Sequence, residues 1–181
     1  MGIEESQKPE QLSRNVIYES PWVNLYEDRV RFPGGRIVEK HTVLDFEMEA
    51  VGVIAENENR EIILVQAYRY ITDTIDWEIP AGAIDAGETV MEAGGREVLE
   101  ETGFEIEDME LVYTYYPMMG LSNKVFHIVT GRATECVGEF DRNEVKSVHW
   151  FSRDEIRDMI KQNQIKDGLS LTALLLYFQE I

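Results

Sequence analysis

In the first half of the chain, apolar positions recur mainly at every second residue. "WVNLYEDRVRF" (Trp22–Phe32) alternates, "PGG" (Pro33–Gly35) is turn chemistry, and "RIVEKHTVLDF" (Arg36–Phe46) returns, so the pattern predicts a β-hairpin. "EAVGVIAE" and "EIILVQAYRY", joined by the polar "NENR", predict a second hairpin-like pair, and "TIDWEIPAG" closes this β-rich half at Gly82. The stretch Met1–Arg14 is polar and unpatterned and is expected to be loose.

The period then lengthens to that of a helix. Val90, Gly94 and Val98 recur every four residues as a buried stripe, and Thr89 with Glu92 three positions on is the signature of a capping box. Gly103 stands where a left-handed residue ends a helix. Gly94 and Gly95 each cost about 1 kcal/mol against alanine inside a helix, so close packing on the sheet should account for at least one. Beyond the helix, "MELVYTYYP" and "KVFHIVTGRA" predict strands around the loop "MMGLSN", and "VKSVHWFS" predicts another strand. Helical stretches follow at Arg153–Gln162 and Leu169–Glu180. Strand, strand, helix, strand, strand, helix predicts an α/β fold with a mixed sheet, and there is no internal repeat, linker or low-complexity segment.

Composition adds boundaries. The 181 residues, 44% hydrophobic and 29% charged, suit one globular domain with an N-terminal β extension. A formal charge of −18 argues against a nucleic-acid partner, which needs clustered Lys and Arg, and means that an anionic substrate requires a cation at its site. One cysteine, Cys136, cannot form an internal disulfide, which suits a reducing cytoplasm. No apolar run reaches the roughly 18 residues of a membrane span. "MGIEES" matches the N-myristoylation pattern formally, but Glu4 and Glu5 replace the basic residues that strengthen such an anchor, so an ordinary soluble start is expected.

One charge cluster asks for chemistry. "REVLEETGF" sets Glu97, Glu100 and Glu101 on one side of the helix, close to Glu92, where like charges destabilise by roughly 0.2–0.5 kcal/mol a pair. Carboxylates held this way suit Mg²⁺ or Mn²⁺, whose charge would neutralise the repulsion. The blander reading is a solvated acidic helix face. His41, His127 and His149 lie far apart and show no ligand spacing, and Cys136 has no neighbouring motif.

The spacing decides between these readings. Gly82, five residues, Glu88, seven residues, then Arg96-Glu97-Val98-Leu99-Glu100-Glu101-Thr102-Gly103-Phe104 matches the Nudix box G-x5-E-x7-R-E-U-x-E-E-x-G-U at every specified position. The chain resembles the Nudix hydrolases. "VQAYRYITDTIDWEIPAG", the leading hairpin and the closing "SRDEIRDMIKQNQIKDGLSLTALLLYF" are similar to the ADP-ribose and nucleotide-sugar diphosphatase branch. The resemblance implies an α/β/α sandwich with a mixed sheet over residues 48–181 and an N-terminal hairpin extension over residues 1–47 that pairs two copies as a homodimer. It implies metal ligands at Glu97, Glu101 and the carbonyl of Ala81, with Glu100 assisting. Gly82, Glu88, Arg96 and Gly103 would organise the loop–helix–loop. Glu144, in "DRNEVKSVHW", would supply the base or a further ligand, with Asp141 as the fallback, so Glu97, Glu100 and Glu144 are the catalytic candidates. Arg69 would meet the substrate phosphates, against the alternative of a surface ion pair. Tyr68, Tyr70 and Trp77 could stack on a base, though such residues more often fill cores or interfaces.

The branch implies Mg²⁺, or Mn²⁺ in its place, and hydrolysis of the diphosphate bridge of nucleoside diphosphate sugars, with ADP-ribose (to AMP and ribose 5-phosphate) the leading substrate. In one place the chain departs from the branch. Where a proline in a Ser-Pro-Gly context is usual, "YYPMMGLSN" has Pro117 early and Met118 and Met119 in the expected place, which implies a more tolerant sugar or base pocket. GDP-mannose and ADP-glucose therefore stay open as substrates. The alternatives are a Nudix hydrolase of dinucleoside polyphosphates or coenzyme A, and a non-catalytic nucleotide-sugar sensor.

Overall fold

The computed structural model describes Glu4 and residues 7–179, so the remainder of the "MGIEES" start and the last residue expected in the final helix, Glu180, lie outside the described residues. The chain divides into two compact units. One runs to Met48 and includes Met118–Lys124; the other comprises Glu49–Pro117 and the chain from Val125 onward.

In the first unit, β1 (Glu10–Tyr18), β2 (Asn24–Arg31) and β3 (Ile37–Asp45) form an antiparallel sheet in that order. The expected hairpin is β2–β3. The expectation of a loose start is corrected, because Glu10–Arg14 belongs to a strand. Nearly all of β1 is exposed, so burial leaves no alternation in its sequence. Polar bonds hold it instead: Arg14 makes a two-pronged ion pair with the buried Asp28 at 2.8 Å on each arm, and the Gln11 amide donates to the same carboxylate at 2.8 Å. The Met118–Lys124 segment is tied on by the Leu44 N–H donating to the Leu121 carbonyl at 2.9 Å and by the Asn123 amide donating to Asp45 at 2.7 Å.

The second unit is built on a mixed sheet. Its strands are β4 (Ala50–Glu56), β5 (Glu61–Arg69), β6 (Thr74–Glu78), β7 (Ala81–Ala83), β8 (Phe104–Tyr115), β9 (Phe126–Cys136) and β10 (Val145–Ser152). The main order is β10-β5-β4-β9-β8, with β6 on β5 and β7 on β4. The expected β4–β5 hairpin pairs only next to its turn, at Glu56 and Ile62. Beyond that, β4 takes β7 and, in parallel, β9, while β5 takes β6 and β10.

Helix α1 (Val90–Thr102) covers one face of this sheet; α2 (Arg153–Lys161) and α3 (Gly168–Phe178) cover the other. Strand periodicity divides the core between them. Val51, Val53, Ala55 and Ile63 pack with Ala93 and Val98 of α1, whereas Ile54, Ile62 and Leu64 pack with Ile156, Leu169 and Leu174. A strand buried on both faces reads as a nearly continuous apolar run, as "AVGVIA" does.

Candidate functional site

The strand-to-helix passage Ala81–Gly103 carries the box. The capping box forms as the sequence implies: Thr89 Oγ1 accepts from the Glu92 N–H, and the Glu92 carboxylate accepts from the Thr89 N–H at 2.8 Å. At the other end Gly103 is left-handed at φ 78°, and a Cβ there would overlap the Gly138 carbonyl.

Between these ends α1 turns two glutamates inward. Glu97 and Glu101 are each only 8% exposed, whereas the Glu100 side chain is 56% exposed. Glu100 therefore does not share their face as expected. Successive helical residues are about 100° apart, which carries it past the buried arc. Glu97 lies against the α-carbon of Gly82, where any Cβ would overlap its carboxylate. Glu101 Oε2 accepts from the Ala81 N–H at 3.0 Å, which brings Ala81 to the same place by its backbone.

Arg96 braces the passage. Its guanidinium forks onto Glu88 at 2.8 and 2.9 Å and donates to the Ala83 carbonyl at 2.9 Å, to Glu97 Oε1 at 2.7 Å and to Glu100 at 3.3 Å. These bonds hold the Glu88 carboxyl down at about 2. The inward pair goes the other way. Burial raises Glu97, with Glu100 and Glu144 adding repulsion, and burial pushes Glu101 up to about 8, with Glu97 and Glu144 adding to it. Buried carboxylates under mutual repulsion favour a cation or a proton.

Among the described residues, no three His, Cys, Asp or Glu side chains form a ready cage for a metal ion. The residues present nonetheless fit a hard divalent cation. Glu97 and Glu101 each commit one oxygen to the bonds described above and keep the other, their charges lack full compensation, and the donors are all oxygen.

Glu144 sits on the β9–β10 loop, which hangs from the end of α1. The Asp141 N–H donates to the Glu100 carbonyl at 2.8 Å, and the Val137 N–H donates to the Gly103 carbonyl at 2.9 Å. Glu144 is exposed and close enough to repel both Glu97 and Glu101. Asp141 is occupied in capping Asn143.

Arg69, at the end of β5, grips the buried Glu78 of β6 with both arms, one at 3.0 Å, and attracts Glu101. It also borders a cavity of about 580 Å³ shared with Tyr68, Tyr70 and Asp76. Trp77 packs in the core against Phe151, but Tyr68 and Tyr70 are exposed. Met118 and Met119 belong to the other compact unit, with the N-terminal sheet. The histidines stay apart: His127 bonds Thr114 and Glu49, and His149 packs against Trp77 and Phe151. Cys136 is exposed and free. Sequence reasoning missed Asp76 and Lys166, an ion pair at 2.9 Å on the cavity wall, because nothing in the chain links two charged residues so far apart. Glu78 was within reach, as the acid of "EIPAG".

The NUDIX domain model matches residues 47–171, and the nucleoside diphosphate sugar hydrolase N-terminal domain model matches residues 10–44. A CMP-5'-(N-acetyl-N-hydroxy-3-aminopropyl)phosphonate hydrolase of Streptomyces rubellomurinus is 27% identical over 161 residues, covering 88% of this chain and 77% of the relative. An ADP-ribose pyrophosphatase of Mycobacterium tuberculosis is 25% identical over 170 residues, covering 92% and 81%. A crystal structure of an ADP compounds hydrolase superposes with a TM-score of 0.83 at 22% identity, covering 96% of this chain and 94% of that one. The NUDIX domain match and the ADP-ribose pyrophosphatase relatives support a pyrophosphohydrolase. The chain belongs to the Nudix family.

Proposed function

We propose that the protein hydrolyses the diphosphate bridge of nucleoside diphosphate sugars with Mg²⁺, or Mn²⁺ in its place, ADP-ribose being the leading substrate and GDP-mannose and ADP-glucose further candidates. The observation that carries the reading is the inward pair Glu97 and Glu101, buried against Gly82 and Ala81 with their charge only partly compensated by Arg96 and Arg69. The similarity to an ADP-ribose pyrophosphatase over 92% of the chain supports the substrate class.

Glu97, Glu101 and the Ala81 carbonyl, with Glu100 assisting, would hold a divalent cation, which when bound would supply Lewis-acid charge to acidify water and offset the diphosphate oxygens. Glu144 takes the proton of the attacking water, a role its exposed position beside both glutamates allows. Arg69 donates to the phosphate oxygens, with Glu78 holding its plane. Attack at one phosphorus breaks the P–O–P bridge and leaves two phosphomonoesters; from ADP-ribose these are AMP and ribose 5-phosphate. Met118 and Met119 line a tolerant specificity loop. Residues 1–47 act as a dimerisation extension to the catalytic domain of residues 48–181, and the exposed Val16, Ile17 and Tyr18 of β1 offer apolar surface for a second copy. A monomer in light scattering at micromolar concentration would remove the dimer. Its one free cysteine suits a reducing cytoplasm, the compartment we propose for it.

The test is a diphosphatase panel with Mg²⁺: ADP-ribose, ADP-glucose, GDP-mannose, UDP-glucose, diadenosine polyphosphates and coenzyme A, read by chromatography of products. Glu101→Gln should lose turnover by about a hundredfold or more, the scale of several kcal/mol of metal stabilisation. Near-wild-type turnover in that variant would reject the ligand assignment. Glu144→Gln should lose turnover with little change in melting temperature; unchanged turnover would move the base elsewhere.

A further inference from the structure

The cavity beside Arg69 is not used by the carboxylate chemistry. It measures about 580 Å³, and its walls bring together three exposed side chains (Tyr68, Tyr70 and Ile71) and the ion pair of Asp76 with Lys166. Arg69 is a wall of this cavity and also attracts Glu101, so one residue borders both places. A diphosphate fixed between the inward glutamates and Arg69 must send one of its two ends past Arg69.

We propose that this cavity receives the nucleobase end of the substrate and that Asp76 and Lys166 read the hydrogen-bonding edge of the base. The inference rests on the diphosphatase reading above. Two features favour the base over the sugar. Tyr70 and Ile71 are 79% and 82% exposed, and such faces suit a flat aromatic ring, which any base offers, better than a sugar. Lys166 donates to Asp76 at 2.9 Å, which stands a cationic donor beside a carboxylate acceptor, and the edge of each common base sets an N–H donor beside a nitrogen or oxygen acceptor. Asp76 is buried, and its bonds from Lys166 and from Thr74 hold its carboxyl below the usual range. Lys166 is anchored just before α3, where Asp167 caps the helix and Ser170 accepts from the Ile79 N–H at 3.0 Å, so the pair is held from both sides.

The experiment compares wild type, Lys166→Met and Asp76→Asn with Mg²⁺ on two matched series. ADP-glucose, GDP-glucose and UDP-glucose share a sugar; ADP-ribose and ADP-glucose share a base. The kcat/KM ratios among bases should shift by about tenfold, the net worth of one hydrogen bond, while the ADP-ribose to ADP-glucose ratio stays constant. A shift in the sugar ratio would assign the cavity to the sugar and overturn the proposal. An equal loss on every substrate would reduce the pair to a structural brace and also overturn it. Equilibrium binding of AMP, GMP, UMP and ribose 5-phosphate gives a second readout that needs no turnover. Both variants should change the affinities for the nucleotides relative to one another and leave that for ribose 5-phosphate alone. If wild type cleaves no diphosphate, the catalytic reading fails, and the same binding comparison still decides what the cavity holds.

Discussion

Glu97 rests where Gly82 has no side chain, and that vacancy is the reason for the glycine. In Gly82→Ala the new methyl meets the far end of the Glu97 side chain, so the fold should tolerate it while the carboxylate moves. Displacement of about 1 Å costs roughly a hundredfold in rate. Steady-state turnover should fall by about that factor with the thermal transition nearly unmoved; a large loss of stability would mean that the glycine serves packing instead. Glu88 gives a pH prediction. Its folded pKa of about 2 lies below the ordinary 4.5, so its contribution is present above 4.5 and is lost as pH falls toward 2. Glu88→Gln should therefore lose stability less steeply than wild type through that window in denaturant titrations, and parallel curves would contradict the Arg96 pairing. The box residues were legible because their spacing is specific. The burial of Glu97 and Glu101 with Glu100 outside was not, because three carboxylates in five residues look alike until the sheet selects a face. Asp76 and Lys166 were invisible, since tertiary folding alone brings them together.

Among the elements, α1 shows what helical periodicity reveals and what it hides. Its cap, its left-handed end and the stripe of Gly94 and Val98 agree with the sequence pattern. Thr89→Ala should cost about 1 kcal/mol in chemical denaturation, the usual worth of such a cap, and a neutral result would show that tertiary packing alone holds the first turn. The two central glycines differ. A Cβ on Gly94 would come within 3.1 Å of Val53 and 3.0 Å of Met109, whereas on Gly95 it would meet only the Met109 sulfur at 3.9 Å. Gly95→Ala should stabilise by about 0.5–1 kcal/mol, from helix propensity, and Gly94→Ala should be the less stable of the two; the reverse order would refute close packing as the reason for Gly94. At the other extreme, β1 left no trace in the pattern, because a strand exposed along its length has no face for burial to mark.

For the whole molecule, charge acts over distances that no single contact does. With a net −18, self-repulsion opposes the compact state. Raising ionic strength from about 0.01 M to about 0.15 M shortens the screening length from about 30 Å to about 8 Å, and the melting temperature should rise with it in a sodium chloride series. A fall would show that attractive pairs such as Arg14–Asp28 outweigh the repulsion. The α/β layering was legible at this scale because strands buried on both faces write short continuous apolar runs and amphipathic helices write a longer period. The partners of β4 were not, since parallel pairing with β9 joins residues as far apart as Ala50 and Phe126 and leaves no local signal. The loop that carries Glu144 is bonded to the Glu100 and Gly103 carbonyls at the end of α1, the helix of the inward glutamates. Helix and loop thus form a transferable cassette. A graft of the box into another scaffold that stops at Phe104 would import the acidic helix without the loop that caps its end, and a workable transplant must also carry residues 137–145 in register with the last helical turn.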